Sequence, residues 1–158
     1  MSVKTASGLA IILCGVVFAT CYQTQAQEKK IKREDLPPPV EKTVGEQSQG
    51  AAIRGFSTEV ENGKRLYEAE MTVNGHGKDI SMDQQGNIIE IEEEVTMDSL
   101  PPAVKRGLTS AAGSGAITKV ELLTKRGKLV AYEAAVRNGA KRSEVQVGPD
   151  GKKLAHSE

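Results

Sequence analysis

The chain has 158 residues, with 21 lysines and arginines against 21 aspartates and glutamates, so its formal net charge is zero. That balance excludes a uniformly basic nucleic-acid binder and a strongly acidic solvating tail. With only 3% aromatic residues, a base-stacking surface or carbohydrate platform of any size is excluded too.

Residues 1–26 carry one charge, Lys4, then an apolar run from Leu9 to Ala19, then polar residues ending Thr24-Gln25-Ala26. A positive start, a short apolar core and small residues before a cut after Ala26 predict a secretory signal peptide. The run is too short to cross a bilayer as a helix, so no stable transmembrane anchor is expected. Cys14 and Cys21 would leave with the signal, and the exported chain would hold no disulfide. An alternative makes Cys21 a lipidated N-terminus, against which Phe18-Ala19-Thr20 is a poor lipoprotein box. Residues 27–34 form a charged N-terminal segment.

The remainder repeats itself. At an offset of 64 residues, Leu36-Pro37-Pro38-Pro39-Val40 aligns with Leu100-Pro101-Pro102-Ala103-Val104, and Gly63-Lys64 aligns with Gly127-Lys128. After one inserted residue Tyr67-Glu68-Ala69 meets Tyr132-Glu133-Ala134, and Gly86 meets Gly151. The boundaries are 35–98 and 99–158.

Each unit opens with a helix signal, Asp35 or Ser99 as cap followed by prolines that suit a first turn. Val104, Leu108 and Ala111 share one helical face, with Lys105 and Arg106 toward water. In the first unit Val40 and Val44 precede Gly45-Glu46-Gln47-Ser48, which predicts a shorter, weaker helix. Strands follow: Tyr67 to Val73 alternates apolar and polar residues, as does Tyr132 to Arg137. Asn62-Gly63, Asn74-Gly75, Arg126-Gly127 and Asn138-Gly139 read as hairpin turns. Asp83 to Gly86 and Pro149-Asp150-Gly151 close a third hairpin in each unit. The expected class is α+β: two tandem repeats of one helix followed by a three- to four-stranded antiparallel meander, helices packed on one face.

Two such units, with a Leu-Pro-Pro helix start, a Tyr-Glu-Ala strand and an Asp-x-x-Gly turn, resemble the PepSY-like family, which shares the fold of the β-lactamase inhibitor proteins. The resemblance spans about residues 34–156. It implies a non-enzymatic, exported bacterial module, and a role in inhibiting or regulating peptidases. It carries no binding residue across, because its motifs are caps and turns.

The residues themselves offer little chemistry. No Gly-x-Ser-x-Gly elbow, His-Glu-x-x-His or phosphate-binding loop occurs, and His76 and His156 fall in a hairpin loop and the C-terminal tail, so no catalytic residue and no cofactor is expected. Glu90-Ile91-Glu92-Glu93-Glu94, with Asp83 in the preceding turn, invites a divalent-cation reading. Glu90 and Glu92 would point to one face of a strand and Glu93 to the other. A solvated outer face is the simpler account, and Asp83 needs only to brace its own turn. Tyr67 and Tyr132 could mark two ligand pockets, but inward aromatics on a strand are more often core.

Charge is the most distinctive feature. Residues 35–98 hold 14 acidic and 5 basic residues, whereas 99–158 hold 11 basic and 5 acidic ones. The unlike halves could attract one another, steer an exported protein partner, or join chains head to tail. The expected function is a protein-interaction or peptidase-inhibitor module, with a small-ligand or divalent-cation binder of the cell envelope as the alternative. No nucleic-acid partner is expected.

Overall fold

The computed structural model describes residues 28–158. The expected signal peptide, with Cys14, Cys21 and the cut after Ala26, lies outside the described residues. In chain order the elements are β1 (Lys29–Ile31), α1 (Pro38–Gln47), β2 (Ala52–Glu61), β3 (Lys64–Val73), β4 (His76–Asp83) and β5 (Ile88–Glu94). Then come α2 (Pro102–Ala112), β6 (Ala116–Lys125), β7 (Lys128–Asn138) and β8 (Lys141–Val147). All strand pairs are antiparallel, in one sheet ordered β1 to β8.

This corrects the expected fold class. The described residues do not divide into two repeats of helix plus meander with helices packed on a face; among them the structure is mainly one eight-stranded antiparallel sheet, with two α-helices. The reason lies in the β5–β6 pairing, which runs from Glu90 opposite Lys125 to Glu94 opposite Glu121. Two separate meanders would each have left an open edge of unpaired N–H and C=O groups there. Their union satisfies both edges.

Hairpins form where short turns allow a backbone reversal. Asn62-Gly63, Asn74-Gly75 and Arg126-Gly127 all have positive φ at both residues, the twist that suits two-residue connections between right-twisted strands. Register alternation then puts apolar residues on one side of the sheet. Phe56, Tyr67, Ala69, Met71, Ile80 and Met82 are buried with Leu36, Val40 and Val44. Val120, Tyr132, Ala134 and Val147 are buried with Leu100, Val104 and Leu108. Each fully buried aliphatic side chain contributes about 1.5–3 kcal/mol. Tyr67 and Tyr132 are core residues, at 8% and 7% exposure.

The helix starts differ from expectation. Neither helix has a side-chain cap; Pro37 and Pro101 stand at the N-cap positions. Asp35 instead accepts the Lys32 backbone N–H at 3.0 Å, and the Ser99 hydroxyl donates to the Thr96 carbonyl at 2.8 Å, both bracing short 3₁₀ turns. A proline at the N-cap has no side-chain oxygen with which to accept a first-turn N–H. α1 has 10 residues against 11 in α2, scarcely shorter. Ala111, expected on the buried face, is exposed.

Candidate functional site

The other side of the sheet is polar. Cross-strand pairing aligns Ser57, Glu68, Ser81 and Glu90 in one row, and Glu70, Asp79 and Glu92 in the next. Like charges directly opposite one another destabilise a sheet, so these rows need compensation. Lys30 pairs with Glu70, Arg54 with Asp79 at 2.8 Å, Lys125 with Glu90 at 3.3 Å and Lys119 with Glu121 at 2.8 Å. Four cations do not neutralise this face.

A hollow of about 620 Å³ opens on it, lined by Glu28, Glu59, Glu68, Asp79, Ser81, Glu90, Glu92 and Glu144. Glu28 precedes the first strand and Glu144 lies on the last. In a flat sheet those strands would stand about 34 Å apart, seven spacings of roughly 4.8 Å. Their sharing one hollow shows that the sheet curls, and that its polar side is concave.

Crowding leaves its mark on the carboxyls. Burial, followed by repulsion from Glu121, Glu90 and Glu133, pushes Glu92 up to about 8. Burial likewise raises Glu68, against the Ser57 hydroxyl that donates to it at 2.8 Å, and raises Asp79 against the Arg54 guanidinium. Glu59 is raised by burial and by Glu61, Glu28 and Glu90. Glu133 is raised by burial, although Gln146 donates to it at 2.6 Å.

Of the residues expected at a cation face, Glu90 and Glu92 do lie on this side. Glu93 is exposed and pairs with Lys78 at 3.4 Å. The structure does not bring Asp83 to them: its carboxylate accepts N–H bonds from Gln85 and Asn87, each at 2.9 Å, and the Asn87 side-chain amide. A slight burial that would raise it is outweighed by these bonds, which hold Asp83 below the ordinary carboxylate value. Glu92 instead converges with Asp79 and Glu121, with one oxygen of each lying within 4.8 Å of the others. Those two partners come from β4 and β6, and no spacing within a single segment announces them; only the β4–β5 and β5–β6 registers do. His76 begins β4 and His156 lies in the tail, both exposed.

The family model described as "Putative beta-lactamase-inhibitor-like, PepSY-like" matches residues 22–90 and 65–152. The chain belongs to the PepSY-like family. It is not a family of known enzymes. Solved structures similar to this PepSY-like protein include a BLIP-like protein from Bacteroides fragilis, 21% identical, with 73% of this chain and 81% of that one covered and a TM-score of 0.54. A DUF2874 family protein from Bacteroides ovatus is 18% identical, covering 75% and 84%, with a TM-score of 0.58. A third solved structure, from Bacteroides eggerthii and described among "putative periplasmic proteins", is 16% identical, covering 75% and 86%, with a TM-score of 0.62. These likenesses establish the fold. No curated protein matches the chain. Among the described residues no helix is long and apolar enough to cross a membrane.

Proposed function

We propose that this PepSY-like protein is an exported, non-catalytic binding module whose concave sheet face takes a cationic segment of a protein partner. The observation that carries the reading is the hollow lined by seven carboxyl groups on a curled sheet. Carboxylates that repel one another and are partly desolvated gain when a lysine or arginine from outside enters among them. A concave face also suits a projecting loop or extended strand better than a flat partner surface. The periplasmic description of a structural neighbour and the signal-like N-terminus support export.

The test is titration of the protein with a lysine-bearing peptide and with its lysine-to-glutamine counterpart, at low and moderate salt. Binding of the first alone, weakened at least ~10-fold in E68Q/E92Q and by added salt, is the expected result. Equal affinity of wild type and E68Q/E92Q for the lysine peptide overturns it.

Convergence of Asp79, Glu92 and Glu121 favours a second reading, a divalent cation held by oxygen ligands. It ranks lower because Arg54 and Lys119 already occupy two of those carboxylates at 2.8 Å. Calcium titration that gives neither heat nor a change in melting temperature removes it.

A further inference from the structure

The concave face has a second hollow, about 580 Å³, whose lining includes Thr118, Lys119, Arg137, Arg142, Ser143 and Glu144. Glu144 lines both hollows, so the two adjoin. Their charges are opposite. Arg137 and Arg142 stand directly across from each other on β7 and β8, two residues along β8 from Glu144, about 7 Å.

A like-charged pair facing across two strands is a destabilising arrangement. Elsewhere on this face such rows are relieved by ion pairs, but no carboxylate lies within 4.0 Å of either guanidinium among the described residues. The Nε of Arg137 donates to the Gly139 carbonyl at 3.1 Å, which uses one of the five guanidinium donors. Arg142 is exposed beside it. Planar guanidinium forks match carboxylates in bidentate geometry.

We infer that Arg137 and Arg142 form an anion subsite for carboxylate side chains, and that the segment bound on the concave face is bipolar, cationic over the Glu68–Glu92 hollow and acidic over the arginines. The inference rests on the cationic-segment reading for the first half of the segment and on the arginine pair for the second. A polyanion such as a nucleic acid or an anionic membrane does not fit: any surface broad enough to cover both arginines also presses on Glu144 and the acidic hollow next to it. A discrete carboxylate on a short peptide avoids that repulsion.

The experiment uses three peptides of one length: lysines at one end and glutamates at the other; the same with glutamines for glutamates; the same with glutamines for lysines. Each is titrated by fluorescence anisotropy at low ionic strength into wild type, R137Q/R142Q and E68Q/E92Q. Wild type should bind the bipolar peptide at least ~10-fold more tightly than the lysine-only peptide, a gain of about 1.4 kcal/mol. R137Q/R142Q should abolish that ratio while leaving lysine-only affinity unchanged or higher, since two positive charges beside the acidic hollow have been removed. Its melting temperature should hold or rise, because a like-charge pair has been removed. An unchanged ratio in R137Q/R142Q overturns the anion subsite. Should the lysine-only peptide fail to bind wild type, the cationic-segment reading falls, while loss of glutamate-only binding in R137Q/R142Q still supports the subsite. Self-association of wild type that R137Q/R142Q abolishes overturns the assignment to a foreign segment and makes a second copy the occupant.

Discussion

The contact between α1 and the turn after β4 can be set beside the contact between α2 and the turn after β8. Both turns press a glycine of positive φ, Gly86 or Gly151, against the first turn of a helix. A Cβ on Gly86 would lie 2.5 Å from the Pro39 carbonyl oxygen, and one on Gly151 would overlap the Ala103 carbonyl. One turn further along the helix the solutions part. Thr43 donates its hydroxyl to the Gly86 carbonyl at 2.8 Å. At the aligned position of α2 stands Gly107, against which the Gly151 carbonyl packs directly. The same approach is thus secured once by a hydrogen bond and once by removing a side chain. A hydroxyl sets a distance, whereas a glycine only permits one.

Both contacts are most sensitive at their glycines. Gly107→Val and Gly151→Ala should each cost about 3–5 kcal/mol, as overpacking against backbone joins, for Gly151, the strain of a left-handed side chain; denaturant unfolding checks this. Gly86→Ala should cost slightly less, because its Cβ would meet the Pro39 carbonyl carbon at 2.8 Å where one on Gly151 would meet that of Ala103 at 2.4 Å. Next come the aligned core positions. Leu108→Ala should cost about 3 kcal/mol and Val44→Ala about 2 kcal/mol, each side chain being fully buried. Because one sheet joins the two regions, all these variants should melt in a single transition by calorimetry; two resolved transitions would break the claim of continuity.

A pH series sharpens a different contrast, between the crowded concave face and the braced turns. Glu92 keeps its proton in the folded state up to about 8, whereas an unfolded glutamate loses it near 4.3. The folded state therefore binds more protons in that window, so stability is full below it and declines as pH rises through about 8. E92Q should remove most of that decline in melting temperature between pH 5 and 9. Asp83 and Asp150 act in the opposite sense. The Lys152 backbone N–H and side chain hold Asp150 low, so both turns should weaken only as pH falls through the acid range. The smallest effect is expected of Thr43→Val, about 1 kcal/mol for one partly buried hydrogen bond, with no counterpart in α2.

Legibility in the sequence followed the range of the interaction. Turns such as Asn62-Gly63 and the inward Tyr67 and Tyr132 were readable because their causes, positive φ and period-two burial, are local. The merging of all strands into one sheet was not, since alternation tells which way a side chain points and nothing about which strand lies next door. The same limit hid the site. Glu90 and Glu92 read as a solvated outer face, yet β5 is an interior strand whose neighbours bring Asp79 and Glu121 to Glu92. Asp83 looked close along the chain but is held by its own turn. The unequal charge of residues 35–98 and 99–158 was visible from counting; that both signs meet on one concave surface, at Glu144, was not.

The strand order carries a consequence for how the chain assembles. Every strand pairs only with those adjacent in sequence, and the longest closures are those that carry a helix, β1 to β2 and β5 to β6. Loop closure is therefore inexpensive for a protein of this class, and contact order is low for so large a sheet. A chain released from its N-terminus onward finds each new strand's neighbour already in place. The joint between β5 and β6 is then the one step in which the first five strands wait with an open edge, and pairing of β6, the strand that follows α2, ends that wait.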